Sequence, residues 1–232
     1  MPVYQLDEGL WFPKPKYGEP DGLLAVGGDL SVNRLLLAYS HGIFPWYAYQ
    51  LYDEPHWYCP MDRFVIFPKE IHISHSMKQL MRQGKYHITI DHDFEGVIKG
   101  CSKADCRNTD MGAWLGPQMI RAYTQLHKMG IAHSVEVWEA KETENNTSIP
   151  LRLVGGLYGI DLNGAFFGES MFSLVPSASK LALIHLAQHL EKKGYSFIDC
   201  QFETPHLLSM GGRHIPYEEY MAILNANAHK KE

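Results

Sequence analysis

Three polar residues in the C-terminal half of the chain have the types and spacing of a catalytic site. Glu169 interrupts the apolar and aromatic stretch 166–172, and Asp199 and Gln201 stand two residues apart in a short apolar run. Alternate residues of a strand share one face, so we expect the side chains of Asp199 and Gln201 to lie together. A carboxylate among aromatic side chains is costly unless it is paired or used. The residues predict either a proton-handling site or buried carboxylates satisfied by backbone donors or by Lys180.

A hairpin, a helix and a strand must position these side chains. Asn163-Gly164 joins two apolar runs, and this pair predicts a β-hairpin because its tight turn needs positive φ. A helix capped by Ser177 or Ser179 follows, and then a short strand over Tyr195–Gln201. The order strand, helix, strand predicts that this last strand lies parallel to the second hairpin strand.

Composition places the chain among ordinary soluble globular proteins. The 232 residues are 45% hydrophobic and 20% charged, and neither a signal peptide nor a membrane-spanning run is recognisable. The four cysteines form no CxxC pair, which favours free thiols in a reducing cytoplasm, and we expect no metal site. A net charge of −5 counts against a broad nucleic-acid-coating surface but allows a local basic patch that includes Lys78 and Arg82.

The front of the chain has weaker signals. Prolines at 13, 15 and 20 predict no regular structure in the first twenty residues. Ser31 can cap a helix that Gly42 ends, and further strands are expected over Arg63–Phe67, Tyr86–Ile90 and His133–Trp138. Helices and strands in this mixture predict an α/β or α+β fold.

Several blocks of the sequence, in the same order, resemble the bacterial leucyl/phenylalanyl-tRNA–protein transferases. The blocks are Gly22–Ser31, Gly42–Trp46, Trp57–Arg63, His133–Trp138, Gly155–Gly159, Gly168–Phe172, Ser177–Lys180 and Ile198–Gln201. The chain departs from the family pattern at Met61, His75 and Gly116, and the stretch Glu139–Ile149 lengthens a usual turn. The last of these reads as a surface loop.

The resemblance implies a fold and a division of the chain. It implies a small N-terminal domain over residues 1–63. An acetyltransferase-like (GNAT-type) catalytic domain with a central mixed sheet would follow over residues 64–232. We therefore expect an α/β (α+β) protein of two parts.

The resemblance also implies an activity: transfer of leucine or phenylalanine from aminoacyl-tRNA to the α-amine of proteins that begin with Arg or Lys, marking them for degradation. In that reaction Asp199 would polarise Gln201, whose amide oxygen would draw a proton from the attacking amine, while Glu169 would place the cationic acceptor. Neither a cofactor nor a metal is implied, and we expect a cytoplasmic monomer without membrane attachment.

Two further sets of residues come from the resemblance. The apolar side chains expected to hold the aminoacyl group are Leu157, Met171, Leu183, Leu186, Leu190 and Ile198. The residues expected to contact tRNA are Trp46, Trp114, Arg63, Lys78 and Arg82. Without the resemblance, the first set reads as ordinary core at helical spacing, and the two tryptophans as packing between domains.

Two other functions remain open at this point. An acetyl-CoA-dependent N-acetyltransferase is the alternative, because Arg152–Leu157 nearly fits the R-x-x-G-x-G/A pyrophosphate loop and fails at Leu157. A non-enzymatic tRNA-binding module is the third possibility, and the three polar residues Glu169, Asp199 and Gln201 count against it.

Overall fold

The computed structural model describes residues 3–108, 115–140 and 151–228. The chain has a mixed α/β fold, which confirms the predicted class at that level. The described strands are β1 Tyr4–Leu6, β2 Leu23–Gly27, β3 Phe44–Pro45, β4 His56–Tyr58, β5 Asp62–Ile66, β6 Tyr86–Ile90, β7 Ala132–Ala140, β8 Leu151–Leu162, β9 Ala165–Ser173, β10 Ile198–Asp199 and β11 Arg213–Pro216. The described helices are α1 Val32–Ser40, α2 His75–Arg82, α3 Phe94–Asn108, α4 Pro117–Lys128, α5 Ala178–Lys192, α6 Pro205–Ser209 and α7 Tyr217–Ala228.

The strands form two sheets. A four-stranded sheet has the order β1-β2-β4-β3, and a seven-stranded sheet has the order β11-β5-β10-β9-β8-β7-β6. In the larger sheet β9 and β10 run parallel and the other pairs are antiparallel. The strands predicted from Arg63, Tyr86 and His133 are therefore present as β5, β6 and β7, within two residues of the expected limits.

The hairpin, helix and strand predicted around the polar residues are also present. Asn163 and Gly164 have φ of 51° and 65°, the left-handed values that a tight hairpin turn requires. Ser177 stands at the N-cap of α5 but makes no capping bond with its side chain. The hydroxyl of Ser173, at the end of β9, accepts the backbone N–H of Ser179 instead, at 2.8 Å. Strand and helix are thus joined by a hydrogen bond that the local sequence did not indicate.

The front of the chain is more regular than the sequence suggests. Strand β1 pairs in parallel with β2 and lies within the first twenty residues, so the expectation of no regular structure there was wrong. Proline excludes helix and sheet only where it stands, and β1 ends before the first of the three prolines noted above. The predicted cap of α1 is confirmed, since the Ser31 hydroxyl accepts the N–H of Arg34 at 3.3 Å.

The two sheets share one apolar core. Leu35 and Tyr39 of α1 and Trp57 of β4 belong to the same buried cluster as Tyr158 and Phe167 of the large sheet. A second cluster fills the space between the other face of that sheet and α5. The first part of the chain therefore packs directly behind the strands that carry the polar residues. In the part of the chain that the structure describes, no helix combines the length and apolarity needed to cross a membrane.

Candidate active site

A cavity of about 770 Å³ opens where β9 and β10 part. The two strands pair only at Ile198 with Phe166 and at Asp199 with Phe167, and β9 continues beyond that point without this neighbour. The cavity is lined by Asp21, Phe44, Pro45, Trp46, Tyr58, Leu157, Gly168, Glu169, Ser170, Met171, Leu183, Leu186, Ile198, Cys200, Gln201, Phe202, Thr204, His206 and Leu207. Such a crevice, apolar with a few polar groups, is a typical small-ligand site.

Behind the cavity lies a buried ion pair. Asp199 accepts two hydrogen bonds from Arg63, at 2.8 Å from Nε and 2.6 Å from Nη2, and both residues are fully buried. The Tyr220 hydroxyl donates to the same carboxylate at 2.9 Å. The third guanidinium nitrogen donates to the carbonyl oxygen of Gly42 at 2.8 Å. Burial alone would lower the pKa of Arg63, and the Asp199 carboxylate more than offsets this, so the pKa is raised.

The placement of Arg63 corrects its predicted role. Arg63 has no exposed surface, and its guanidinium group is bound to Asp199. It therefore cannot reach a tRNA phosphate. The sequence indicated nothing of this pairing, because the two residues stand 136 positions apart. Arg63 instead balances the charge of the carboxylate closest to Gln201.

Gln201 lies in the cavity, whereas Asp199 does not line it. The expected shared strand face was wrong, because β10 ends at Asp199 and Gln201 has the left-handed φ of 60°. This backbone turn rotates the side chain of Gln201 into the cavity. The backbone N–H of Gln201 donates to Oδ1 of Asp199 at 2.9 Å. The carboxylate therefore fixes the backbone turn and does not bind the side-chain amide of Gln201. The Gln201 Nε2 is buried and has no hydrogen-bond partner among the described residues.

Glu169 lines the cavity at the end of a chain of hydroxyl groups. The Tyr123 hydroxyl donates to Glu169 Oε2 at 2.7 Å, and the Tyr39 hydroxyl lies 2.7 Å from that of Tyr123. Burial raises the pKa of Glu169 to about 7, while the hydrogen bond from Tyr123 opposes the rise. Oε1 is buried and finds no partner in the described chain. The carboxyl group can therefore change charge near neutral pH and can accept a donor from a ligand.

Family profiles match most of the chain. The profile described as leucyl/phenylalanyl-tRNA protein transferase matches residues 65–225, and that of the N-terminal domain of the same family matches residues 28–61. The chain belongs to this family. Full-length relatives agree: the leucyl/phenylalanyl-tRNA–protein transferase of Thermodesulfovibrio yellowstonii is 45% identical over 231 residues, covering 100% of this chain and 89% of the relative. That of Nitrosomonas eutropha is 48% identical over 206 residues, covering 89% and 82%.

Five of the six side chains expected to hold the transferred amino acid line the cavity: Leu157, Met171, Leu183, Leu186 and Ile198. Leu190 does not line it and is buried in the cluster beneath α5. Trp46 also lines the cavity, with its ring edge-on to Tyr58 at 5.4 Å between centroids. The roles predicted for these residues stay predictions.

Two further residues expected to contact tRNA lie away from the cavity. Lys78 and Arg82 are exposed on α2 and do not line the cavity. Trp114 lies outside the described residues, as does most of the Glu139–Ile149 stretch. Within the described ranges, no group of three histidine, cysteine or acidic side chains could hold a metal ion.

Cys200 lines the cavity beside Gln201, but its chemistry is suppressed. Burial raises the pKa of the Cys200 thiol, and the nearby Asp199 carboxylate raises it further. The thiolate, which is the nucleophilic form, is therefore scarce at neutral pH. Cys200 contributes to the wall of the cavity rather than to covalent catalysis.

Several residues at the site were not predicted. Tyr39 and Tyr123 follow the apolar faces of α1 and α4, so nothing in the local pattern indicates that the Tyr123 hydroxyl binds Glu169 or that the Tyr39 hydroxyl binds that of Tyr123. Tyr220 belongs to α7, a helix that was not predicted. His206 could have been noticed, because Thr204-Pro205 just before it is the signature of a helix start.

The raised pKa of Glu169 predicts a pH-dependent stability. A carboxyl group that binds its proton more tightly in the folded state lowers stability as pH rises, here between its usual 4.5 and about 7. Glutamine at position 169 does not ionise, so Glu169→Gln does not lose stability in this way as pH rises. We expect the free energy of unfolding of Glu169→Gln, relative to the unmodified protein, to rise across that range and to level off above pH 7. Urea unfolding at several pH values measures it, and a constant difference would contradict the burial of a titrating Glu169.

Leu186 and Leu190 form a matched pair for testing the pocket. They lie about one turn apart on α5, both are buried, and Leu186 alone of the two lines the cavity. Truncation to alanine should destabilise both variants by about 2–5 kcal/mol. Leu186→Ala should also reduce the preference for leucine over phenylalanine by about tenfold, because a methylene or two is worth about 1–3 kcal/mol of discrimination. Competition between Leu-tRNA and Phe-tRNA measures this preference in both variants. An equal change of preference in the two would show that Leu186 acts only as a core residue.

Proposed function

We propose that this chain transfers leucine or phenylalanine from aminoacyl-tRNA to the N-terminal α-amine of proteins beginning with Arg or Lys, which marks them for degradation. Family membership supports the reaction, and the observation that carries it to particular residues is the cavity itself. Its apolar wall at Leu183 and Leu186 and its polar groups at Glu169 and Gln201 suit an aminoacyl ester and an amine.

The reaction needs positioning more than a strong catalyst. An α-amine has a pKa of about 7.7–8.0, so a useful fraction is neutral near pH 7 and can attack the ester carbonyl. The new C–N bond forms as the bond to the ribose oxygen breaks, and that oxygen leaves as a hydroxyl. The Gln201 amide oxygen draws the proton from the attacking amine, and this proton passes to the departing ribose oxygen, which completes the hydroxyl. Since the ester is already activated, no cofactor is required.

The buried carboxylate has a positioning role in this proposal. Asp199 binds the backbone N–H of Gln201, and Arg63 neutralises its charge. Asp199 therefore acts by fixing the turn that presents Gln201, in place of the direct polarisation first expected. Glu169 faces the cavity with one free oxygen, which suits a cationic acceptor through its α-amine or its side chain.

Binding of tRNA is proposed to use the cavity mouth and a basic patch. Trp46 suits stacking on the terminal adenosine, and Trp114 is proposed as its companion. Lys78 and Arg82 are proposed to hold phosphates. We propose that the reaction takes place in the cytoplasm, and we expect a monomer.

The basic patch predicts a measurable salt dependence. Affinity for Leu-tRNA should fall with salt, since each neutralised phosphate releases counterions. Replacing Lys78 and Arg82 by alanine should reduce the slope of log affinity against log salt by about 1 for each lost contact. Lys192→Ala with Lys193→Ala, two exposed lysines at the end of α5, is the control and should leave the slope unchanged. An unchanged slope in the first variant would remove the patch from the tRNA-binding surface.

The finer fold assignment belongs to this proposal. An acetyltransferase-like (GNAT-type) architecture is supported by the run of antiparallel strands followed by α5 and the parallel strand β10. A small N-terminal domain over residues 1–63 is supported by the four-stranded sheet, which ends before β5 enters the larger one.

The acetyl-CoA alternative finds little support. Arg152–Leu157, its supposed pyrophosphate loop, lies wholly within β8. A Cβ on Gly155 would come within 2.4 Å of Ala178, and one on Gly156 within 2.6 Å of the carbonyl of Val135. These glycines therefore allow close packing on both sides of the strand, which leaves no cradle for phosphate.

The deciding experiment follows labelled leucine from Leu-tRNA to a peptide that begins with arginine. The proposal expects transfer that ribonuclease abolishes and that acetyl-CoA neither replaces nor stimulates. A peptide of the same sequence beginning with an acidic residue is the acceptor control. Absence of transfer by the folded protein, or acetylation of the peptide, would overturn the proposal.

A further inference from the structure

His206 lines the cavity and has no role in the mechanism given above. It is the second residue of α6, whose N-cap Thr204 accepts the N–H of Leu207 at 3.2 Å. Its Nε2 is buried, and within the described chain that atom has no hydrogen-bond partner. Burial lowers the pKa of His206, and the charge of Lys180 lowers it further, so the ring is neutral near pH 7. Burying this nitrogen without a hydrogen-bond partner costs free energy, unless a bound molecule supplies the partner.

Three unpaired polar atoms surround this one cavity. They are Oε1 of Glu169, Nε2 of Gln201 and Nε2 of His206. The first two come from β9 and the turn after β10, and the third comes from α6. Because a buried polar atom without a partner is costly, such a cluster indicates groups that a bound substrate satisfies.

The apolar neighbours of His206 place it at the amino-acid end of the cavity. Leu207 packs in the same cluster as Leu183 and Leu186, the α5 residues that line the cavity. Lys180, whose charge acts on His206, precedes Leu183 by three positions and so lies on the same side of α5. The ring of His206 therefore stands beside the apolar wall formed by Leu183 and Leu186.

The shape of an aminoacyl ester limits what can meet His206. Its α-carbon carries an apolar side chain, an ester carbonyl and an amine. With the side chain against Leu183 and Leu186 and the carbonyl towards Gln201, the amine is the polar branch that remains. A neutral imidazole with its proton on Nδ1 presents Nε2 as an acceptor, which the N–H groups of an amine can satisfy.

We propose that His206 Nε2 accepts a hydrogen bond from the α-amine of the aminoacyl donor, and that this contact selects donors that carry the amine. This inference rests on the proposed function. It makes His206 a binding residue for the transferred amino acid, distinct from the residues that handle the attacking amine.

The test compares two donors that differ only in this group. Leucyl-tRNA competes with 4-methylpentanoyl-tRNA, which has the same side chain without the amine, and the ratio of their kcat/KM values is measured. The amine also activates the ester by induction, equally with every protein variant, so the change in the ratio between variants isolates the contact. In His206→Leu the preference for leucyl-tRNA should fall by about tenfold or more, the cost of one unmade buried hydrogen bond.

Three further variants make the result specific. His206→Gln extends a polar atom to about the position of Nε2 and should restore much of the preference. His206→Asn is too short and should behave as His206→Leu does, even if the apolar variant folds poorly. His185→Leu, a half-buried histidine of α5 that does not line the cavity, should leave the ratio unchanged. A ratio that no His206 variant alters would overturn this inference alone, and a protein that transfers neither donor would overturn the proposed function as well.

Discussion

Replacing Asp199 by asparagine is expected to lower the free energy of unfolding by about 3–5 kcal/mol and to abolish measurable transfer. The substitution keeps the shape of the side chain but leaves the guanidinium of Arg63 buried without its counter-charge, and removing one partner of a buried pair costs about this much. The N–H at the Gln201 turn then has only an uncharged amide oxygen as acceptor, which binds more weakly than a carboxylate. Urea unfolding and single-turnover transfer at saturating enzyme measure the two effects.

Two variants separate the ion pair from the rest of the cluster. Tyr220→Phe removes one hydrogen bond to Asp199 and should cost about 1–3 kcal/mol, less than Asp199→Asn. Combining Arg63→Met with Asp199→Leu removes both charges, and should recover part of the stability while transfer stays lost. A folded Asp199→Asn with the melting curve and the transfer rate of the unmodified protein would contradict the positioning role of the pair.

Replacing Gln201 by alanine is expected to slow transfer by about two to three orders of magnitude, the effect of removing one group that binds the transition state. The side chain lines the cavity, and its Nε2 has no hydrogen-bond partner among the described residues. Its removal should therefore leave the free energy of unfolding and the affinity for tRNA close to those of the unmodified protein. Transfer rates, unfolding curves and tRNA binding are measured on the same preparation.

The left-handed backbone conformation of Gln201 suggests a control variant for Gln201→Ala. A non-glycine residue with φ of 60° is strained, and glycine adopts this conformation without a steric cost. Gln201→Gly should therefore be at least as stable as Gln201→Ala while being equally slow. If Gln201→Ala retained near-normal rates in a well-folded protein, the proton-acceptor role of this residue would be lost.

Local sequence patterns predicted those elements that local chemistry determines. Asn163-Gly164 marked the hairpin because few residue pairs accept positive φ twice in succession. Ser31 marked the start of α1 because a hydroxyl can satisfy an otherwise unpaired N–H. Leu183 and Leu186 were placed on the pocket wall by the family resemblance, since helical spacing alone does not separate a pocket from a core.

The remaining features depend on residues far apart in the chain. Arg63 was expected to contact tRNA because of the family resemblance, and only the fold shows that Asp199, 136 residues later, balances its charge. Asp199 and Gln201 were expected on one face because strands alternate, and nothing in the local sequence shows that β10 ends between them. The hydroxyl groups of Tyr39 and Tyr123 likewise meet Glu169 only through tertiary packing.

The separation of the ion-pair partners also restricts the order in which the protein can be built. Synthesis from the N-terminus completes β5 long before Asp199 is added, and Tyr220 follows a further 21 residues later. Until then the Arg63 side chain has no carboxylate to meet, and burying its strand would leave a charge unpaired. A ribosome-bound chain that stops short of β10 is therefore expected to keep this strand exposed to water. The centre of the molecule is among the last regions to close, so an incomplete chain has no formed site with which to draw on the aminoacyl-tRNA pool that is elongating it.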